Sequence, residues 1–375
     1  MEISMPFYYS IDGRKPEGKR TAEGLLRLKK GFVEENVPER SVDETLLLGT
    51  WNIREFDSEK FGARSDEPIL YIAEIISRFD LVAIQEIRDD LTALNRLMKD
   101  LGGWWKYLLN DVTEGREGNR ERMAFVYDSR KINFGGLAGE IVVPPVRKSG
   151  EVLEPAKQLA RTPFIVGFRG GWFKFTLCTT HILYGAGVPE EPARLKEIDV
   201  LAEFLAARAG ERTAWARNMI LLGDFNIFDT TDKTMKAITD HGFIIPDQIK
   251  RQASNALRNK HYDQIAFIAP DIQDKLSLFG AGVFDYYKYV YRAEDEERYA
   301  SAMGPAYLKT KEGIERDQAG RTRYYRDWRT YQMSDHLPLW IELKIDFSQE
   351  YLAKKVAQEL GPTPTSDPAA PVVDH

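Results

Sequence analysis

Apolar runs that end in a polar or ionisable residue restrict the fold of this chain more than any other feature. Runs of this length are typical of buried β-strands. These apolar or mostly apolar runs, with the groups that follow them, are 46–48 with Asn52, 81–84 with Gln85 and Glu86, 173–177 with His181, and 219–222 with Asp224 and Asn226. In an α/β protein the carboxyl ends of strands lie at one edge of the sheet, where ligands bind. The pattern therefore predicts one polar edge to which several strands contribute.

Helix-like segments alternate with these strand-like runs. Helices are predicted at about 68–79, where Pro68 can begin the first turn, and at 91–101 and 191–208. Further strands are predicted at 123–127, 164–168, 262–268 and 339–345. This order predicts an α/β fold in one domain, about residues 45–347, with strands packed into sheets and helices outside them.

The two ends and one long segment do not fit the alternating pattern. Residues 1–44 are polar and charge-rich, and we interpret them as an N-terminal extension with one helix near 22–30. Residues 348–375 are expected to form a C-terminal helix and then a disordered tail, because four prolines follow residue 361. The aromatic, charged stretch 270–332 is interpreted as an insertion between two core strands.

Overall charge and hydropathy limit the classes of function. The formal net charge is -6, so contact with nucleic acid must come from a local basic patch or from bound cations. The single cysteine, Cys178, excludes an intrachain disulfide. There is no run of 18 apolar residues, and the first residues do not resemble a signal peptide. We therefore expect a cytoplasmic protein without a transmembrane segment, with export as a longer precursor left open.

Two more polar groups stand beside the starts of predicted strands. They are Tyr262 with Asp263, and Ser334 with Asp335 and His336. Magnesium prefers oxygen ligands from a few carboxylates, together with water and substrate phosphate. Asn52, Glu86 and Asp335 are therefore candidate metal ligands, either directly or through water. Each group alone is more often an ordinary loop or structural residue, but their joint occurrence in this order makes chance a poor explanation.

The ordered motifs resemble those of the endonuclease/exonuclease/phosphatase superfamily over about residues 45–347. They are Trp51-Asn52-Ile53, Gln85-Glu86, Thr180-His181, Gly223-Asp224-Phe225-Asn226, Tyr262-Asp263 and Ser334-Asp335-His336. The resemblance implies a four-layer α/β sandwich, with two packed, mostly antiparallel (mixed) β-sheets flanked by helices. It also implies a hydrolase acting on phosphoric esters, although substrates in the superfamily range from DNA to phosphorylated lipids.

Within the superfamily, the chain most resembles the deoxyribonuclease I group. The matching segments carry Arg88, Glu121 between two arginines, and Arg161 before a predicted strand. His181 separates the chain from abasic-site endonucleases, which lack a histidine there. The chain differs from this group at two points. Asn119 stands where the group has a tyrosine, and the paired cysteines of secreted deoxyribonucleases are absent.

The same resemblance implies a role for each site residue. The catalytic set is His181, Asp224, Asn226, Asp263, His336 and Glu121, and the metal set is Asn52, Glu86 and Asp335. Asp224 is expected to orient or deprotonate the attacking water. Glu121 is expected to orient His181, and Asp263 to orient His336, with the identity of the general acid left open. The expected metal is Mg²⁺, with Mn²⁺ or Ca²⁺ as alternatives.

A basic and aromatic stretch at 321–331 bears on the substrate. It interleaves arginines, which neutralise phosphate, with aromatic rings, which stack on bases. Arg323 and Arg326 in this stretch are therefore predicted to contact substrate, and the resemblance implies the same role for Arg88 and Arg161. We expect a nuclease with DNA as its substrate, and the alternative is a phosphoesterase acting on a lipid or a small phosphorylated molecule. Strand preference, mode of cleavage and oligomeric state are left open.

Overall fold

Two β-sheets lie face to face in the computed structural model of the chain. The structure describes residues 6–57, 60–114, 118–148, 151–154, 157–269 and 278–357. The strands are β1 (Thr45–Phe56), β2 (Leu81–Ile87), β3 (Trp105–Leu109), β4 (Arg122–Asp128), β5 (Ile132–Glu140), β6 (Val146–Lys148), β7 (Glu151–Glu154), β8 (Phe164–Gly170), β9 (Phe173–His181), β10 (Met219–Asp224), β11 (Asp263–Ile268), β12 (Leu278–Val283) and β13 (Leu339–Lys344). One sheet has the order β12-β13-β1-β2-β4-β3 and the other β11-β10-β9-β8-β5, while β6 and β7 form a separate pair.

Helices cover the outer faces of the two sheets. They are α1 (Pro16–Glu34), α2 (Asp66–Ser77), α3 (Thr92–Leu101), α4 (Pro192–Gly210), α5 (Lys233–Thr239), α6 (Asp247–Lys250), α7 (Ala300–Met303), α8 (Pro305–Leu308), α9 (Gln318–Gln332) and α10 (Ser348–Ala357). The result is a four-layer α/β sandwich, which confirms the predicted fold class. Within the described ranges, no helix is both long enough and apolar enough to cross a membrane.

Strand direction brings the predicted polar groups to one edge of the sandwich. β1 runs parallel to β2, and β9 runs parallel to β10, so the carboxyl ends in each pair coincide. β4, β11 and β13 run antiparallel to these neighbours, so their starts lie at the same edge. The register pairs Asp224 with His181 on one side and with Asp263 on the other.

The segment that we interpreted as an N-terminal extension contributes α1 to the helical layer. Leu25, Leu28 and Phe32 share one buried face of this helix. The helix lies close to its neighbours because it carries glycine at the contact: a Cβ on Gly24 would stand 2.0 Å from the hydroxyl oxygen of Tyr71. The predicted helix at 22–30 is therefore confirmed, but it is longer than its apolar pattern indicates.

Most predicted strands and helices are confirmed, and β5 and β12, two of the strands that we missed, are rich in glycine. β5 contains Gly135, Gly136 and Gly139, which interrupt the alternation of apolar and polar residues. β12 contains Gly280 and Gly282, which pack under Trp340 on β13. In both strands glycine provides room for a neighbour while removing the side chains that would indicate a strand.

Part of the stretch 270–332, predicted as an insertion, belongs to the core architecture. β12 is an edge strand paired with β13, and α9 packs against the end of β1. Residues 270–277, and the predicted disordered tail after residue 357, lie outside the described residues. Residues 348–357 form α10, where the C-terminal helix was expected.

Candidate active site

The carboxylate of Asp224, at the end of β10, is the point at which the site residues converge. Its Oδ1 accepts a hydrogen bond of 2.8 Å from the backbone nitrogen of Asn226, and its Oδ2 accepts one of 3.0 Å from Asn52 Nδ2. The Nε2 atoms of His181 and His336 lie 3.5 and 3.6 Å from the same Oδ2. One buried carboxylate oxygen thus faces two imidazoles, which is an arrangement suited to proton transfer.

Two left-handed backbone positions shape the turn that carries Asp224. Gly223 has a φ of +131°, and a Cβ there would lie 2.1 Å from the carbonyl oxygen of Thr180. Asn226 has a φ of 53°, and its Nδ2 donates a hydrogen bond of 2.8 Å to the carbonyl of Ile182. Glycine satisfies the first position and asparagine tolerates the second. The turn is therefore fixed against the neighbouring strand β9.

His336 and Asp263 form one carboxylate–imidazole pair. Nδ1 of His336 lies 2.8 Å from Asp263 Oδ2, and both side chains are buried. Burial opposes the charged form of the ring, but Asp263 and Asp224 outweigh it and raise the pKa of His336 well above its ordinary value. The opposite ring nitrogen is the one that faces Asp224. The pair therefore favours the protonated imidazole and fixes its orientation.

His181 and Glu121 form the second pair, which includes Arg161. Nδ1 of His181 lies 2.8 Å from Glu121 Oε2, although the direction of approach falls outside hydrogen-bond geometry. Arg161 Nε donates a hydrogen bond of 2.6 Å to the same oxygen. Burial raises the pKa of Glu121, but His181 and Arg161 outweigh burial and bring it down to about 2. Burial and Arg161 lower the pKa of His181. Glu121 and Asp224 raise the same pKa by a larger amount, so the net shift is upward.

Arg161, which we predicted to contact substrate, is engaged within the protein. It is 7% exposed, and its guanidinium is directed at Glu121. A buried carboxylate needs a counter-charge, and Arg161 supplies it. The spacing of residues along the chain could not distinguish this internal pair from a substrate contact. The geometry makes Arg161 a positioning residue for Glu121.

Asn52 in β1 and Glu86 near the end of β2 could hold a metal ion. Asn52 Nδ2 donates a hydrogen bond of 2.9 Å to Glu86 Oε1, and Glu55 N donates one of 2.8 Å to Oε2. Oδ1 of Asn52 is buried without a hydrogen-bond partner among the described atoms. A buried acceptor without a partner is costly, and hard divalent cations take amide and carboxylate oxygens as ligands. These two residues therefore fit a Mg²⁺ ion.

Clusters of potential ligands surround this position. Two groups of three residues each place one donor atom per residue within 4.8 Å of the others. The groups are Glu86 with Glu121 and His181, and Asp224 with Asp263 and His336. Asp335 belongs to neither group: its side chain is 44% exposed, and its Oδ2 lies 3.6 Å from Arg54 Nη1. The structure thus brings Asn52 and Glu86 together and leaves Asp335 at the rim.

Ser334 fixes the last motif to β1, a role that the motif analysis missed. Its hydroxyl donates a hydrogen bond of 2.6 Å to the carbonyl of Asn52. The same oxygen accepts hydrogen bonds from the backbone nitrogens of Arg54 (3.1 Å) and His336 (3.0 Å). The hydroxyl of Tyr286, which the sequence analysis also overlooked, bonds at 2.8 Å to the carbonyls of Ser334 and His336. A hydroxyl residue directly before Asp335 was the available signal for the first of these roles.

The remaining predicted substrate residues lie further out. Arg88 Nη2 lies 3.6 Å from Glu55 Oε1, and its Nη1 donates to the carbonyl of Asn119. Arg323 and Arg326 are exposed on α9, and neither makes an ion pair with a carboxylate in the described ranges. The two α9 arginines are therefore free to bind an anion, whereas Arg88 is partly engaged.

Arg54 connects α9 to the site. Its Nη1 donates a hydrogen bond of 2.6 Å to Thr330 Oγ1, and its guanidinium lies 3.9 Å from the ring centre of Tyr331. Thr330 lies in the last turn of α9, and a helix rises roughly 1.5 Å per residue. Arg326 is therefore only about 6 Å further along the axis than Thr330.

Comparison with known proteins finds a matching family and several related proteins. A family model described as "Endonuclease/Exonuclease/phosphatase family" matches residues 49–243, which is more than half of the chain. A protein named deoxyribonuclease from Thioalkalivibrio sp. is 30% identical over 187 residues, which cover 48% of this chain and 46% of that protein. Deoxyribonuclease gamma of Rattus norvegicus is 26% identical over 284 residues, which cover 71% of this chain and 84% of that protein.

Solved structures share the fold. A crystal structure of an endonuclease/exonuclease/phosphatase family protein from Bacteroides thetaiotaomicron matches with a TM-score of 0.52 at 18% identity. The match covers 81% of this chain and 99% of that protein. A mannosyl-6-phosphatase from the same organism matches with a TM-score of 0.50, also at 18% identity, over 80% of this chain and 99% of that one. At this identity the likeness concerns the fold alone.

Proposed function

The chain belongs to the endonuclease/exonuclease/phosphatase family, whose members are hydrolases of phosphoric esters, and we propose that it is a magnesium-dependent nuclease that cleaves DNA. The observation that carries this proposal is the pair of imidazoles facing Oδ2 of Asp224, each with its own carboxylate. Phosphodiester hydrolysis requires a deprotonated water, stabilised phosphate charge and a protonated leaving group. The carboxylate can deprotonate the water, one imidazolium group can stabilise the phosphate charge, and the other can protonate the leaving group.

The proposed mechanism gives Asp224 the role of orienting and deprotonating the attacking water. His336, held in its charged form by Asp263, stabilises the charge that develops on the phosphate. His181, held by Glu121, donates a proton to the leaving oxygen. Asn226 positions the water or a phosphate oxygen. Asn52 and Glu86, with Asp335 in support, would hold Mg²⁺, which supplies positive charge at the phosphate when bound.

Replacement of the histidines separately tests which one is the acid. His181→Ala and His336→Ala should each reduce kcat on DNA by orders of magnitude. Each change also leaves a buried carboxylate without its partner, so kcat is measured at a temperature at which thermal unfolding shows the variant to be folded. A nitrophenyl leaving group requires little protonation, so the defect of the general-acid variant should shrink on a nitrophenyl phosphodiester. We expect that rescue for His181→Ala and not for His336→Ala. Near wild-type DNA cleavage by either variant would exclude the mechanism.

DNA is the substrate proposed for two reasons. Curated relatives over most of the chain are named deoxyribonucleases. In addition, Arg323 and Arg326 are exposed on α9 without an ion pair to any carboxylate that the structure describes, and α9 joins the site through Arg54. A local basic surface of this kind can bind a phosphate backbone even though the whole chain carries a net charge of -6.

A small phosphorylated molecule or lipid headgroup is the second candidate substrate. The observation in its favour is that Arg161 and Arg88, both predicted to contact substrate, are engaged by the protein. A small monoester or diester would not need the cations on α9. Mutation of Arg323 and Arg326 would then leave turnover unchanged.

Parallel assays distinguish the two candidates. The protein is incubated with Mg²⁺ and, separately, with duplex DNA, single-stranded DNA, RNA, sphingomyelin and a sugar phosphate. We expect the highest kcat/KM on DNA, and a rise in KM on DNA for Arg323→Gln combined with Arg326→Gln. Cleavage of the lipid or the sugar phosphate alone would overturn the proposal.

A further inference from the structure

Three aromatic residues form a surface beside His336 that the mechanism above does not use. They are Tyr184, Phe228 and Tyr262, here called the aromatic shelf. Tyr184 and Phe228 are stacked with ring centres 6.0 Å apart, and Tyr262 meets both edge-on, at 6.4 and 5.6 Å. The ring of Tyr262 also lies 5.4 Å from the imidazole of His336. The shelf is therefore continuous with the catalytic centre.

Strand order explains why these rings meet. β9, β10 and β11 are adjacent, and each shelf residue lies next to a catalytic residue at the shared edge. Tyr184 follows His181 by three positions, Phe228 follows Asn226 by two, and Tyr262 directly precedes Asp263. The chain therefore places an aromatic ring beside each of three catalytic residues.

Tyr184 is the exposed member of the shelf and is held in place. Its side chain is 45% exposed, whereas Phe228 is 8% exposed. The buried guanidinium of Arg194 donates a hydrogen bond of 3.2 Å to the carbonyl of Tyr184. A Cβ on Gly187 would lie 2.9 Å from the Tyr184 ring, so the backbone of this loop packs against it. An exposed ring that is already ordered loses little entropy on binding.

A cation stands at the same surface. The ammonium of Lys260 lies 4.1 Å from the ring centre of Phe228. In the described part of the chain, Lys260 makes no ion pair with a carboxylate. The shelf thus combines an exposed aromatic face with a positive charge, and a nucleotide offers the matching pair of a planar base and a phosphate.

We propose that the aromatic shelf binds an unpaired nucleobase close to the scissile phosphate, with Tyr184 stacking on the base and Lys260 binding the adjacent phosphate. This inference rests on the proposed nuclease function. The successive centroid distances put Tyr184 at most about 12 Å from the His336 ring, and bases in a strand are spaced by roughly 3.4 Å. The bound base therefore lies within about four nucleotides of the bond that is cut. A base in a duplex is already stacked, so the shelf favours single-stranded or frayed DNA.

Kinetics of Tyr184 variants test the proposal. For Tyr184→Leu we expect KM on a single-stranded oligonucleotide to rise about ten times more than KM on methyl nitrophenyl phosphate, with kcat little changed. Tyr184→Phe keeps the ring and should retain the wild-type ratio between the two substrates. On an oligonucleotide with abasic sites throughout, wild type and Tyr184→Leu should have similar KM, because there is no base to stack.

A lysine variant tests the phosphate contact. Lys260→Gln should raise KM on the oligonucleotide and reduce the slope of log KM against log salt by about 1. Lys236→Gln, an exposed lysine on α5, is the matched control and should change neither quantity.

The outcomes separate this inference from the proposed function. Failure of wild type to cleave any nucleic acid, with cleavage of another ester, overturns the nuclease proposal itself. The other case is that wild type cleaves DNA but Tyr184→Leu shows an equal rise in KM on both substrates, or no rise. That result would overturn the proposal that the aromatic shelf binds a nucleobase, and the nuclease proposal would stand.

Discussion

Each reactive side chain of the site is held by a second polar group. His181 is held by Glu121, which Arg161 holds in turn, and His336 is held by Asp263. Burying so many ionisable groups is costly unless each charge is compensated, and the opposite charges of these pairs provide that compensation. The same contacts fix which ring nitrogen of each imidazole faces Asp224.

Gly223→Ala tests whether the turn carrying Asp224 requires glycine. A Cβ at this position would lie 2.1 Å from the carbonyl of Thr180, at a φ of +131° that other residues rarely adopt. We expect a loss of stability of about 1–3 kcal/mol and a marked fall in kcat, because His181 and Asp224 both move. Chemical denaturation and steady-state kinetics measure the two effects. Gly103→Ala, where a Cβ meets no atom within 4 Å, is the control, and identical behaviour of the two variants would refute the assignment.

Single residues were predictable from the sequence where a motif placed them at a strand end. Asp224, Asn52 and His336 meet in the structure because parallel and antiparallel strands bring these ends to one edge. Arg161 was not predictable, because its partner is a carboxylate 40 positions away that only the packed sheets bring near. Spacing along a chain does not specify long-range partners of buried charges.

At the scale of elements, the connection between α9 and β13 determines where His336 lies. Hydrogen bonds from Ser334 attach this connection to β1, and Tyr286 holds its carbonyls from the other side. Arg64, which is fully buried, donates to the carbonyls of Arg54 and Gln332 and so joins the end of β1 to the end of α9. The stretch that we interpreted as an insertion thus positions His336, a member of the proposed catalytic set.

Ser334→Ala tests this coupling. The variant removes one donor and one acceptor, and leaves the carbonyl of Asn52 and the nitrogens of Arg54 and His336 without this partner. We expect a loss of about 1–3 kcal/mol in stability and a fall in kcat greater than that loss explains. Thermal unfolding and kcat are the measurements, with Ser77→Ala on α2 as control. An unchanged kcat would show that the hydroxyl has no part in positioning His336.

Elements were predictable where hydrophobic pattern and length agreed. β1, β9 and β10 carry long apolar runs, and α4 has an apolar face of helical period. β12 was not predicted because it has glycines opposite Trp340, and without side chains at these positions the alternation typical of a strand is absent. α9 was noted for its charge and aromatic content but not as a helix, because its buried face is formed by Tyr325, Trp328 and Tyr331 rather than by aliphatic residues.

At the scale of the whole molecule, the edge opposite the site is stabilised by a separate buried charge network. Arg40 donates hydrogen bonds of 2.7 Å to both Asp80 and Asp128, and Lys131 donates one of 2.6 Å to Asp80. These groups join β2, β4 and the segment before β1 at the ends of the strands remote from Asp224. One edge of the sandwich thus carries a buried charge network, and the opposite edge carries the proposed active site.

Asp128→Asn tests the contribution of this network through its pH dependence. Burial raises the pKa of Asp128, but hydrogen bonds from Arg130 and Arg40 outweigh it and lower the pKa from 3.8 to about 2. A lowered pKa in the folded state stabilises the protein above pH 3.8, and this contribution disappears as the pH falls towards 2. We expect the variant to lose about 2 kcal/mol at pH 7 and to show a flatter decline in stability between pH 5 and pH 2 than wild type.

Urea denaturation at several pH values provides the measurement for Asp128→Asn. Asp43→Asn, at an exposed position, should match wild type throughout. Parallel pH profiles for Asp128→Asn and wild type would contradict the account of this edge.

The magnesium dependence of DNA cleavage tests the central claim most directly. Cleavage of a labelled single-stranded oligonucleotide is followed across a Mg²⁺ titration, after treatment with a chelator, for wild type and Glu86→Gln. We predict no cleavage without metal, recovery on addition of Mg²⁺, and a half-saturating Mg²⁺ concentration at least about tenfold higher for Glu86→Gln, with an unchanged unfolding temperature. Cleavage by the chelated wild type, or the same Mg²⁺ dependence in both proteins, would contradict the assignment of Asn52 and Glu86 as the metal site of a nuclease.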